Sequence, residues 1–194
     1  MEAALQEKAQ APDEPGLAER FRAGDRAAFD EIVTLHRRTV YSVARRLLRK
    51  HEDADEAAQV AFLKAWSARA RFRGDARLKT WLTRIVLNVS KSMLSARRIE
   101  DELPDEAGWA DSTRTDPGVR IDQARLQHEL RRAVGGLPPR QREVVLLKVY
   151  EGLTHREVAE ILELSEGAVK AHLHQAVSNL KRGLARNEQM ERAT

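Results

Sequence analysis

Thr154-His155-Arg156-Glu157-Val158-Ala159-Glu160-Ile161-Leu162-Glu163-Leu164-Ser165-Glu166-Gly167-Ala168-Val169-Lys170-Ala171-His172-Leu173-His174 encodes two short helices and the bend between them. Thr154 and Glu157 have the spacing of a capping box, in which a hydroxyl takes the amide of the third residue and the carboxylate returns to the cap's own amide. Behind that start Val158, Ile161 and Leu162 fall on one helical face, and Ala159 is small enough for a close crossing. Glu163-Leu164-Ser165 interrupts the pattern. Ser165 can cap a second helix, whose buried stripe reads as Val169, Leu173 and Val177. Two capped helices with a tight turn between them have helix-turn-helix geometry. With the stripe inward, Glu166, Lys170, His172, His174 and Gln175 lie on or beside outward faces, where the front of such a helix reaches base edges in a major groove. Lys181 and Arg182 can hold phosphates. The same residues permit a helical hairpin with a solvated face; paired caps and a polar face of mixed donors favour the nucleic-acid reading.

Upstream of this unit, Gly135-Gly136 and Pro138-Pro139 mark a turn between a helix over 123–134 and one over 139–150 that ends at Gly152. A second domain over 123–186 results, with 187–194 as a tail. Residues 99–122 have another character: Glu100, Asp101, Glu102, Asp105, Glu106, Asp111, Asp116 and Asp122 outnumber Arg114 and Arg120, among interspersed Pro and Gly. This is an anionic linker. Extended, it reaches ~80 Å at ~3.3–3.6 Å per residue, enough to hold two DNA contacts about two helical turns apart.

Before the linker, residues 17–98 show helical apolar spacing with breaks at Gly24-Asp25, His51-Glu52-Asp53 and Arg73-Gly74-Asp75, which predicts four helices. Asp53 and Glu56 read as a capping box opening a helix over 54–71. Its stripe of Phe62, Leu63 and Trp66 is expected to pack on Trp81, Leu82, Ile85 and Val89 of the next helix, with both tryptophans in the core. Residues 1–16, polar and broken by Pro12, Pro15 and Gly16, read as a tail. With no repeat and no strand alternation, the fold class is all-α: two small helical domains joined by a flexible acidic linker.

Composition narrows the function. Lys and Arg total 34 against 30 Asp and Glu, a net charge of +4, so charge placement and not bulk charge must select a polyanionic partner. The absence of Cys removes thiolate metal sites and Cys nucleophiles and suits a reducing compartment, the cytoplasm by default. No apolar run has membrane-spanning length, and the first residues lack the features of a signal peptide, so no membrane insertion is expected. No phosphate loop, zinc-protease motif or nucleophile motif is present, and no cofactor or metal is implied. His172 and His174 point about 200° apart on a helix and cannot share a metal. An enzyme is therefore disfavoured. A stand-alone helix-turn-helix regulator is the nearer alternative, which the all-α first half argues against.

Two blocks in order carry a resemblance. The first runs Asp53-Ala54-Asp55-Glu56-Ala57-Ala58-Gln59-Val60-Ala61-Phe62-Leu63-Lys64-Ala65-Trp66, then Phe72-Arg73-Gly74 and Thr80-Trp81-Leu82-Thr83-Arg84-Ile85-Val86-Leu87-Asn88. The second runs Leu137-Pro138-Pro139-Arg140-Gln141-Arg142-Glu143-Val144, Gly152-Leu153-Thr154, and Gly167 to His174. They resemble regions 2 and 4 of extracytoplasmic-function sigma factors of the sigma-70 family, over nearly all of 17–186. The resemblance implies that Asp53, Asp55, Glu56 and Gln59 dock on the β′ clamp helices of core RNA polymerase. It implies that Arg73, Arg77, Lys79, Asn88 and Lys91 serve the opened −10 element of promoter DNA, where flipped bases need amide donors and positive charge. It places region 4 on the −35 element and the polymerase β flap, and makes a cognate anti-sigma factor an expected partner. The chain departs from the family pattern at several points. His172 and Gln175 stand where Arg is common, and Val177 replaces a frequent basic residue. Val60, Ser92 and Ser95 replace frequent charged ones. Glu163 occupies the usual turn Gly, a change that costs about 1 kcal/mol if the position needs positive φ. The linker's acids suit either a basic channel of the polymerase or a solubilising spacer.

Overall fold

The computed structural model describes residues 14–48, 50–74, 77–100, 129–130 and 132–192, with side chains described between 16 and 183 except at 97–100. The linker beyond residue 100 and the first part of the helix expected over 123–134 lie outside the described residues. In the first half α1 spans Glu14–Arg22, α2 Arg26–Leu47, α3 His51–Ala68 and α4 Leu78–Glu100, with a 3-10 turn over Arg69–Arg71. In the second half residues 132–135 are helical, α5 spans Pro139–Val145, a π-helical turn covers Leu146–Tyr150, α6 spans His155–Leu162 and α7 Glu166–Arg192. Among the described residues there is no strand.

The first helix starts three residues earlier than Leu17, because Leu17 and Phe21 are core side chains and the turn before them is helical too. Asp25 starts α2, accepting from the amides of Ala27 at 2.9 Å and Ala28 at 3.3 Å, while Arg20 Nε donates to it at 2.8 Å. That guanidinium holds the Asp25 carboxyl below its ordinary value. Gly24, at φ +87°, makes the turn, in the left-handed region where a Cβ is strained.

The start of α3 differs from the expectation. The helix begins at His51, its N-cap is Lys50 with no side-chain capping bond, and Asp53 sits buried within the first turn. The Asp53–Glu56 pair is thus inside the helix, where the exposed amides favour a carboxylate without a box. Tyr41 Oη lies 2.7 Å from His51 Nδ1, tying this start to α2. The buried face also differs. Ala54, Ala57, Ala61 and Ala65 are almost wholly enclosed, whereas Leu63 is 66% exposed. Small side chains at i, i+3, i+7 and i+11 let α2 and α4 approach closely, and that spacing turns Leu63 outward. Trp66 and Trp81 do join the core. Phe29 stacks near Trp66 at 5.0 Å between centroids, Phe72 near Trp81 at 5.1 Å, and Phe21 lies 6.2 Å from both tryptophans.

In the second half Arg142 clamps the preceding turn, its guanidinium donating to the carbonyls of Gly135 and of Leu137, the latter at 3.0 Å. The Thr154 capping box is formed: the Glu157 amide donates to Thr154 Oγ1 at 3.2 Å and the Thr154 amide to Glu157 Oε2 at 2.8 Å. Ser165 Oγ accepts from the Ala168 amide at 3.1 Å. Glu163 ends α6 at φ 56° and ψ 48°, in the left-handed region. The turn therefore does ask a non-glycine residue for positive φ. Val169 is fully buried and Leu173 half-buried, but Val177 is 43% exposed and Ala176 takes its place. Seven residues return the helix to within about 20° of its starting direction and eight overshoot by about 80°, so Ala176 falls under Val169.

Partial burial pushes the Glu157 carboxyl upward, but the Thr154 amide and hydroxyl, the Thr80 hydroxyl and the Arg77 charge outweigh it and hold the group below its ordinary value. A lowered folded-state pKa contributes stability at neutral pH that is lost as pH falls through that value. Two outcomes are expected in urea denaturation followed by circular dichroism. Thr154→Ala costs about 1 kcal/mol through the lost cap. The deficit of Glu157→Gln relative to wild type, present at neutral pH, narrows as the pH falls from about 5 to about 3.

Candidate functional site

The turn geometry at Glu163 and the caps at Thr154 and Ser165 set the angle at which α7 leaves α6. Its front is the face that the sequence places toward base edges. Glu166, Lys170, His174 and Gln175 are exposed there, as are Lys181 and Arg182 further along. Gln175 is steadied from behind, since Gln141 Nε2 donates to its Oε1 at 3.4 Å and Asn179 Nδ2 donates to Gln141 Oε1 at 2.7 Å. Arg182 bonds Asn179. His172 stands apart: it is half-buried, its Nδ1 enclosed with no hydrogen-bond partner among the described residues. Three residues after Val169, it lies about 60° from the buried stripe, so it is oriented partly into the domain.

On the first half Arg73, Arg77 and Asn88 are exposed. Lys79 and Lys91 are half-buried and engaged: Lys79 Nζ donates to the Glu151 carbonyl at 3.0 Å, and Lys91 Nζ lies 2.7 Å from Glu143. Both reach the second half, although twelve residues put them about 120° apart around α4. Thr80, Arg84 and Lys91 follow one another at i, i+4 and i+11, within about 60° of a common direction, and Asn88 flanks them. Arg84 was not singled out from the sequence although its spacing to Asn88 and Lys91 carries the signal; it bonds Glu163.

The acidic edge of α3 presents Asp55, Glu56 and Gln59 to solvent, while Asp53 is buried and faces the domain. Beside that edge runs a groove of about 500 Å³ between α2 and α3, lined by Arg37, Arg38, Tyr41, Asp55, Ala58, Gln59 and Phe62. Its floor is apolar and its rims carry both signs of charge. Leu63, one turn beyond Gln59, continues the same side as an exposed apolar anchor. Arg37, Arg38 and Leu63 were not singled out from the sequence as site candidates, because basic pairs on a solvated helix and a leucine beside a phenylalanine carry no distinctive pattern.

Among the described residues no cluster of His, Asp and Glu is arranged to hold a metal, and no helix is long and apolar enough to cross a membrane.

Comparison with known proteins bears on both halves. Residues 32–99 match the family model described as Sigma-70 region 2, and residues 127–180 the one described as Sigma-70, region 4. The ECF RNA polymerase sigma factor SigM of Mycobacterium tuberculosis (strain ATCC 25618 / H37Rv) is 34% identical over 160 residues, covering 82% of this chain and 79% of the relative. The structure of CnrH in complex with the cytosolic domain of CnrY superposes with a TM-score of 0.67 at 26% identity, over 89% of this chain and 97% of that one. The sigma factor RpoE of Bartonella quintana, solved with the anti-sigma factor NepR, also reaches a TM-score of 0.67, over 81% and 96% of the two chains; at 23% identity the likeness speaks for the fold alone. With a region 2 ahead of a region 4 and an extracytoplasmic-function relative matched along most of both chains, this chain belongs to the sigma-70 family as an extracytoplasmic-function sigma factor, an alternative factor for transcription initiation.

Proposed function

We propose that this chain binds core RNA polymerase through the α2–α3 groove and brings it to promoters whose −35 and −10 elements are read by separate domains, 123–186 and 17–98. The observation that carries this is the pairing, on one chain, of an exposed helix-turn-helix face with a groove edged by Asp55, Glu56 and Gln59. A helix with basic groups toward Asp55 and Glu56 and an apolar side chain toward Leu63 fits that groove by charge and by shape. Desolvated apolar anchors ringed by polar groups carry most of such an interface's energy. The β′ clamp helices are the partner the family resemblance points to.

For the −35 element, α7 offers Glu166, Lys170, His174 and Gln175 to base edges, with Lys181 and Arg182 on phosphates. The enclosed His172 ring positions the helix more than it reads. For the melted −10 strand, Arg73, Arg77, Lys79, Asn88 and Lys91 supply positive charge and an amide, and Arg84 joins them by its place on α4. The action is binding without catalysis and takes place in the cytoplasm, where polymerase and promoters are. A regulatory anti-sigma partner is proposed from the family resemblance, and CnrH was solved in complex with another protein, the cytosolic domain of CnrY. The linker keeps the second reader near the first, so two weak contacts act together when promoter spacing suits.

Mixed with core polymerase on a sizing column, the wild-type chain is expected to co-elute. The triple variant Asp55→Ala, Glu56→Ala, Gln59→Ala should separate from it, and Leu63→Ala should bind about tenfold more weakly with no loss of folding stability, as truncation of an interface anchor does. Wild type that ignores polymerase but binds duplex DNA by itself would establish the stand-alone regulator instead.

A further inference from the structure

Four polar side chains on and behind α7 are joined in a line. Gln175, Asn179 and Arg182 follow one another at i, i+4 and i+7 along one side of the helix, and Gln141 comes to them from α5. Arg182 donates to Asn179 Oδ1, Asn179 Nδ2 donates to Gln141 Oε1 at 2.7 Å, and Gln141 Nε2 donates to Gln175 Oε1 at 3.4 Å. Gln141 is 8% exposed and Asn179 half-buried, whereas Gln175 and Arg182, at the two ends, stand in solvent.

The direction of this line is fixed by chemistry at one end. A carboxamide carries an acceptor on one side and two donors on the other and turns to suit its neighbours, but a guanidinium has donors only. Arg182 therefore takes the oxygen of Asn179, which leaves the Asn179 NH2 for the oxygen of Gln141 and the Gln141 NH2 for the oxygen of Gln175. What remains outward on Gln175 is its own NH2. Bonds in such a chain polarise one another in the same sense, and the covered Gln141 has little water with which to exchange its partners. An amide free to use both ends pairs bidentately with adenine, whose N6 donates and N7 accepts. An amide whose oxygen is engaged has nothing to offer N6, and the adjacent acceptors O6 and N7 of guanine suit it instead.

We propose that Gln175 is a donor-only reader that selects guanine over adenine at its base pair, and that Gln141 and Arg182 are positioning residues that set the direction of its amide. The proposal rests on the reading of α7 as the −35 surface. It gives Arg182 an effect that attraction to a phosphate does not produce. A phosphate contact, when removed, weakens binding to all sequences alike, whereas loss of the relay releases the Gln175 oxygen and changes which sequence is preferred.

The test uses the full-length chain with core polymerase, offered a duplex promoter library randomised over the −35 element, with the bound fraction sequenced. Wild type is expected to enrich guanine over adenine at least about fivefold at one base pair, which Gln175→Ala levels and so marks as its own. Arg182→Ala, a change in solvent, should bring guanine and adenine there to within about twofold of each other while the other positions keep their preferences. Arg182→Lys, still a donor only, should retain guanine. Gln141→Leu, shown by circular dichroism to keep its fold, should act as Arg182→Ala does, by freeing the Gln175 oxygen directly. Arg182→Ala that weakens every sequence equally makes Arg182 a phosphate contact alone and overturns the relay. Guanine kept by Gln141→Leu, or adenine preferred by wild type at the Gln175 base pair, overturns it as well. A library in which no base pair answers to Gln175→Ala while others are still selected takes Gln175 out of the reading surface and overturns the proposal, leaving the −35 reading to the rest of α7. A library from which wild type selects no −35 sequence overturns that reading and the proposal with it.

Discussion

One side of α4 must bury leucine and valine while another carries a row of cations, and most of the molecule is arranged around that division. Leu78, Leu82, Val86 and Val89 are enclosed against α2 and α3 and form the centre of the first domain. Burial of that apolar area, at about 25 cal/mol per Å², is what makes the helix a rigid platform. Rigidity matters for the proposed reading of a single strand, which brings no structure of its own and leaves the protein to supply both the positions and the charge. The opposite side, with Thr80, Arg84 and Lys91, is then presented at fixed spacing along about 16 Å of helix.

A comparable division explains the docking groove. The alanine series on α3 lets backbones come close, which spends little side-chain volume on the core and leaves the longer residues, Gln59 and Leu63, on the outer side. An outward leucine is a stable arrangement here, since the alanines with Phe62 and Trp66 already enclose the inner face of the helix without it. The acids of α3 gain from the same placement. Asp55 and Glu56 lie near the helix start, where unpaired amides favour negative charge, and both stand exposed to a partner.

Much of this was legible in the sequence, and the failures share a cause. The caps at Thr154 and Ser165 were readable because each is a local rule, a side chain satisfying a nearby amide; positive φ at Glu163 came into view only through the family resemblance, which puts a glycine there, since a glutamate gives no sign of it. The four-helix first half and the all-α class followed from apolar spacing. What could not be read was which of two adjacent apolar residues faces inward. Leu63 beside Phe62, and Val177 beside Ala176, are settled by a helical phase of a few tens of degrees and by how close the neighbouring helix comes, and a count of hydrophobic residues favours the larger side chain in both cases. Asp53 failed in the same way, since a capping box and a buried first-turn carboxylate use the same residues at nearly the same spacing. The pairing of Lys79 and Lys91 with the second half was beyond local rules altogether, because the partners are more than fifty residues away in the chain.

Those distant pairs also account for the combination of features at the turn. A glycine there would relax the backbone and loosen nothing within the helix-turn-helix, whose core closes through Val158, Ile161, Leu162 and Val169. The glutamate adds strain locally and an ion pair at long range, so its net effect depends on whether the halves are together. Glu163 is compensated by Arg84 only where the two halves meet. The residue that the turn alone would favour and the residue that the contact uses therefore differ, and the contact explains a glutamate at position 163.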